Sequence, residues 1–129
     1  MTVPTDENVD FLVCDEVQQE PDGKLNLVGL YPTREVRIEA GLKLPVSLNL
    51  AFVFILKDGD GHFRPVFRLV DPLGREMHKS SVPDLRKPAD VGHTVSMNIT
   101  TIPIMNFGSY SAFLEIEGQQ FQRNVRIFQ

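Results

Sequence analysis

Tryptophan is absent from this 129-residue chain, tyrosine occurs twice and cysteine once. A single cysteine excludes an internal disulfide framework, so nothing in the chain demands an oxidising compartment. With so few Trp and Tyr, stacking platforms for sugars are scarce. No apolar run approaches the length of a membrane span. The longest, "LNLAFVFILK", stops after about ten residues, near the length of a long strand. A basic excess is missing too: 13 Lys and Arg stand against 17 Asp and Glu, a net charge of −4. Nucleic-acid binders carry a strongly basic face, so no nucleic-acid partner is expected. Arg123 with Arg126, and Arg86 with Lys87, read as solvated edge and loop charges. The start "MTVPTDENVD" lacks the basic-then-apolar order of a Sec-type signal, and a cytoplasmic location is expected. No G-x-S-x-G, P-loop or G-x-G-x-x-G motif occurs, and no clear helix lends its N-terminus to an anion.

What the chain has is punctuation. Nine glycines and nine prolines fall at regular intervals between β-branched and aromatic runs. That pattern predicts an all-β fold, an immunoglobulin-like antiparallel β-sandwich of about eight or nine strands. The length suits one domain over residues 1–129, with 1–8 as a flexible N-terminal arm. Strands are expected over Val9 to Val17 and Lys24 to Tyr31, joined by "PDGK", whose Pro and Asp-Gly suit a hairpin turn. "TREVRIEA" reads as a charged edge strand with Val36 and Ile38 on one face.

Val46 to Lys57 is the best core element. Val46, Leu48, Leu50, Phe52, Phe54 and Leu56 share one face by period two. The opposite face starts polar and turns apolar at Ala51, Val53 and Ile55, so its second half is expected to be covered on both sides. Phe63 to Val70 and Arg75 to Val82 read as partners across "DPLG", with Pro65 marking an edge or a bulge. "PDLRKPADVG" reads as a surface loop. Strands over His93 to Thr101, Ser109 to Glu117 and Gln120 to Phe128 complete the set. Asn106, Gly108, Tyr110 and Ala112 resemble the tyrosine corner of immunoglobulin-like domains. There the Tyr ring lies on the core and its hydroxyl returns to a backbone group in the preceding loop.

The residues that could carry chemistry read mostly as structure. Cys14-Asp15-Glu16 follows an apolar run, but successive strand residues face opposite ways, and two neighbouring carboxylates raise a thiol's pKa. Cys14 is expected to be a buried structural residue. "KDGDGH" puts Asp58 and Asp60 at the first and third positions of a calcium loop, but Phe63 and Leu69 occupy the places of its Gly and Glu. His62, His78 and His93 match no local zinc spacing. No metal, cofactor or catalytic residue is assigned.

The run "FLVCDEV…DGKLNLVGLYP", residues 11–32, resembles the start of a family of small uncharacterised bacterial proteins. In these an apolar strand ending in a Cys-Asp or Asp-rich pair is followed by a G-K-L-x-L-x-G-x-Y/F hairpin. The resemblance implies a sandwich domain and no assigned reaction. Within it Gly29 departs from strand preference and marks a bulge or a close backbone approach.

Three functional classes stay open. The first is a non-catalytic binding or assembly module acting through sheet edges or an oligomer interface, with a protein partner or a homodimer. The second is a small-ligand or carbohydrate binder using sandwich-end loops: Asp58 to His62, Pro83 to Val91 and Thr101 to Phe107, with Asp58, Asp60, His62, Arg86 and Lys87 as candidate binding residues. The third is an enzyme with a loop-built site. The first is expected.

Overall fold

The computed structural model describes all 129 residues, in twelve strands and one 3-10 turn at Asp6–Asn8. The first half of the chain forms β1 (Val9–Cys14), β2 (Glu16–Gln19), β3 (Leu25–Val28), β4 (Glu35–Arg37), β5 (Val46–Leu56) and β6 (Gly61–Phe63). The second half forms β7 (Val66–Val70), β8 (Glu76–Ser81), β9 (Leu85–Lys87), β10 (His93–Ile104), β11 (Gly108–Ile116) and β12 (Gln119–Phe128). No helix is long and apolar enough to cross a membrane.

The longest apolar alternation in the sequence, β5, is the axis of the first sheet, flanked antiparallel by β1 and β10. The second sheet has the order β4-β12-β11-β7-β8, antiparallel except where β4 runs parallel to β12. The sheets pack face to face over a core of 24 buried residues. Phe52 of the first meets Phe67 of the second at a ring separation of 5.2 Å. The fold is all-β, and its strand order is compatible with an immunoglobulin-like arrangement.

Period two explains the core. Leu50, Phe52, Phe54 and Leu56 point into it from β5, and burying each such side chain contributes roughly 1.5–3 kcal/mol. Ala51 and Val53, on the opposite face of β5, are also buried, in a second cluster with Cys14 and Val17. The β2–β3 ribbon supplies that outer cover: Leu25 and Leu27 pack on the cluster. Between β10 and β11 the chain changes sheets. There the buried Tyr110 donates its hydroxyl to the Asn106 carbonyl at 2.8 Å. Gly108 turns the corner at φ 140°, where an added Cβ would stand 3.1 Å from Pro72 Cγ.

Four expectations need correction. The strand over Val9 to Val17 is two strands, because the Asp15 N–H leaves the β1 ladder for the Val28 and Gly29 carbonyls at 2.9 and 3.1 Å. The strand over Phe63 to Val70 breaks at Arg64-Pro65, where proline offers no N–H to a ladder. The loop "PDLRKPADVG" contains β9, which pairs with β6; its prolines flank the strand and do not interrupt it. These changes raise the count from about nine to twelve. Residues 1–8, expected as a free arm, are tied to the body. Thr2 and Asp60 exchange two backbone bonds of 2.8 Å, Asp58 accepts from the Thr5 N–H and hydroxyl at 2.9 and 2.6 Å, and the Arg123 guanidinium reaches Asp6 at 2.9 Å.

Candidate functional site

The resemblance motif folds into one corner. β1 ends at Cys14, which is fully buried in the second cluster and points its thiol at the Glu16 carbonyl, 3.5 Å away. Burial pushes the Cys14 thiol up from its ordinary pKa; the Asp15 charge pushes it the same way, and the Glu16 contact opposes both. A raised thiol under an apolar cover is a poor nucleophile. At Asp15 the chain kinks outward into β2. Gly29, at φ 69°, passes directly under the Asp15 carboxylate, and an added Cβ would fall 2.7 Å from the Asp15 Cγ. Two residues on, the Tyr31 hydroxyl donates to Asp15 Oδ1 at 2.6 Å and the Tyr31 N–H to the Val13 carbonyl at 2.8 Å. Burial, then the bond to Asp15 and its charge, push the Tyr31 hydroxyl up to about 12. Asp15, Gly29 and Tyr31 therefore form a clasp that closes the base of the β2–β3 ribbon onto the end of β1.

A second fastening sits midway along β2. The Asn98 side chain, on the outer face of β10, accepts the Val17 N–H at 2.8 Å and donates to the Val17 carbonyl at 3.0 Å. One amide thus imitates a neighbouring strand and satisfies the outward groups of β2.

The outer edge of β3 has no such partner. Glu20 N–H bonds to the Lys24 carbonyl and Gly23 N–H to the Glu20 carbonyl, closing the hairpin with Gly23 at φ 88°. Counted from that closing pair, alternation makes Gln18–Asn26 a hydrogen-bonded pair and Val17–Leu27 and Gln19–Leu25 the pairs that face away from each other. The Val17 contacts with Asn98 fit this phase. The N–H and C=O of Leu25 and Leu27 accordingly point off the ribbon, and no loop, turn or side-chain bond reaches them.

Beside the clasp lies a cleft of about 630 Å³ lined by Asp15, Glu16, Ser47, Asn49, Asn98 and Thr100, among others. Its amides are already engaged: Asn98 with Val17, and Asn49 with the Thr101 N–H at 2.8 Å.

The five residues assigned to loops do come together, through the pairing of β6 with β9, but most are used by the fold. Asp58 holds Thr5 and Asn8, and Asp60 holds the Thr2 N–H. Lys87 is not a loop cation: it is 2% exposed and donates to the Gly59 and Pro88 carbonyls at 2.8 and 3.1 Å, securing the 58–62 turn. His62 Nε2 stands 3.4 Å from Asp84, and Arg86 alone is left without a side-chain bond or ion pair. His78 packs against the Phe67 ring, while burial and then the Lys87 charge lower the His93 pKa. No group of three or more His, Cys, Asp or Glu side chains is placed to hold a metal. Sequence reasoning missed Asn98, because an isolated Asn on a polar strand face carries no pattern. The Asp15–Tyr31 bond had a signal, since both residues belong to the resemblance motif.

No curated protein matches the chain. Among solved structures it is similar to the alkylpurine DNA glycosylase AlkC of Pseudomonas fluorescens bound to DNA containing an abasic site analog, at 8% identity and a TM-score of 0.46. That likeness covers 95% of this chain and 31% of the other, so the chain spans about a third of that protein's length. It is also similar to a beta-glucosidase from Listeria innocua in complex with gluconolactone, at 13% identity and a TM-score of 0.36, over 94% of this chain and 16% of that one. Neither likeness transfers an activity. The family comparison is of a different kind, for its model spans residues 9–125 and with them the whole clasp: the chain belongs to a family of unknown function, DUF6941.

Proposed function

We propose that the protein is a non-catalytic binding or assembly module that works through the outer edge of its β2–β3 ribbon. One observation carries this reading: the unpaired N–H and C=O groups of Leu25 and Leu27 lie on a ribbon that the clasp and Asn98 hold in a fixed position. Main-chain pairing along such an edge provides affinity without a pocket, and a pre-fixed edge avoids the cost of ordering a loop. A reduced, buried Cys14 suits a cytoplasmic protein. The test is site-specific photo-crosslinking from Asn26, whose side chain is exposed on β3, against Gln122, exposed on β12. A specific adduct at position 26 that also slows amide exchange at Leu25 and Leu27 is expected. Equal yields at the two positions would refute the reading.

A second reading rests on a separate observation. Leu42, Leu73, Met105 and Phe107 are 49%, 69%, 46% and 37% exposed. Chain topology gathers their loops at one end of the sandwich, where Pro72 abuts Gly108 and Gln129 donates to the Leu42 carbonyl. Such a concentration of exposed apolar residues supports end-to-end homodimerisation. Sedimentation of Phe107→Glu against the unaltered protein tests it: a dimer that dissociates supports this reading, and a monomer in both cases removes it.

A further inference from the structure

We infer that the β3 edge takes an extended segment of alternating basic and apolar residues, added as a third strand to the β2–β3 ribbon. This rests on the reading of that edge given above and names its partner. The edges of the fold are not equally open. β8, at the end of the larger sheet, carries Glu76, Lys79 and a β-bulge at Met77, devices that keep an edge from pairing. The β1 edge is occupied, by Arg123 at the Val9 carbonyl and by Tyr31 at the Val13 carbonyl. β3 reads Leu-Asn-Leu-Val, with no charge, proline or bulge of its own.

Charge selects the occupant. Residues 15–28 hold Asp15, Glu16, Glu20 and Asp22 against Lys24 alone, and Lys24 is already 3.5 Å from Asp22. A second copy presenting the same ribbon would bring like charges together, which disfavours self-pairing at this edge. A basic segment meets the opposite situation. Glu16 lies across the ladder from Val28 on the exposed face. The guest residue beside Val28 would be two strand spacings from Glu16, roughly 10 Å, a span that a lysine stem and a glutamate cover together. The guest's other side chains turn toward the sheet face that Leu25 and Leu27 cover, where Leu12 and Ile55 remain half-buried. Apolar residues suit that side.

The test uses the full chain and three probes: a seven-residue Lys-Val alternating peptide, its Glu-Val counterpart, and the Asn26→Lys/Val28→Lys double variant. Both altered side chains are exposed, so the fold is retained. The Lys-Val peptide is expected to slow exchange of the Leu25 and Leu27 amides and to bind at least about tenfold more tightly than Glu-Val. The double variant is expected to weaken it by about fivefold or more, by like charge beside the guest strand. Equal protection by both peptides would overturn the basic preference and leave the edge reading standing. Protection by neither would overturn both. Protection that grows with protein concentration alone would replace the basic segment by a second copy.

Discussion

Tyr31→Phe isolates the clasp. The change removes one hydroxyl and keeps the ring that packs on the main core. The lost bond, 2.6 Å to Asp15 Oδ1, has an ionised acceptor and belongs to a class worth about 1.5–3 kcal/mol. Asp15 is open to solvent, which screens the interaction, so about 1–2 kcal/mol is the working magnitude. At 1.4 kcal/mol per factor of ten, the ribbon should be open roughly five- to thirtyfold more often. Cys14 reports that opening, because its thiol is wholly buried in the cluster that the ribbon covers. Labelling by a disulfide reagent, at fixed pH and with closing faster than reaction, follows the open fraction. The rate is expected to rise five- to thirtyfold, with a shallow denaturant slope because a local opening exposes little surface. An unchanged rate would refute the clasp. A slope equal to that of global unfolding would refute the ribbon as a locally latched unit.

Other perturbations bear on the same geometry. Gly29→Ala forces a Cβ into the Asp15 carboxylate at a left-handed φ and should cost at least about 2 kcal/mol, more than Tyr31→Phe, in a denaturant melt. Asn98→Ala leaves the Val17 N–H and carbonyl without their partner and should lower stability by about 1–3 kcal/mol while speeding Cys14 labelling. Tyr110→Phe removes the hydroxyl that closes onto Asn106 and should cost about 1 kcal/mol or more; a neutral melt would contradict the corner. For pH, the folded state holds the Tyr31 proton more tightly than the unfolded chain does, about 12 against 10.0. The stability from this group is therefore full below pH 10.0 and is lost as pH rises toward about 12; Tyr31→Phe should remove this share of the alkaline loss and leave the share from Tyr110, whose hydroxyl burial also pushes up.

Much of the fold was legible wherever the deciding interaction is local or periodic. The alternation along β5, with an outer face that turns apolar at Ala51, foretold a cover on both sides. "PDGK" closes a hairpin, and "DPLG" closes with the Gly74 N–H on the Asp71 carbonyl at 3.0 Å. Gly29 does mark a close backbone approach. What escaped is set by contacts distant in sequence. Asp15 falls on the inward parity of Val9, Phe11 and Val13, but that single polar break does not say where the chain turns; the strand is divided because Asp15 finds Val28 and Gly29 behind it. β9 exists because β6 lies beside it, and Lys87 is buried because the Gly59 carbonyl meets its ammonium. The candidate site was half legible. Its residues stood in the resemblance motif, while the free edge depends on the phase of the β2–β3 ladder and on Asn98, some eighty residues away.

Amide hydrogen exchange along β3 in the isolated protein shows whether the outer edge of the β2–β3 ribbon is open. Alternation is expected: slow exchange at Asn26, inside the ladder, and nearly unprotected exchange at Leu25 and Leu27 on the open edge. Uniform protection across residues 25–28 at every protein concentration would mean that the edge is already closed, and would contradict the edge reading.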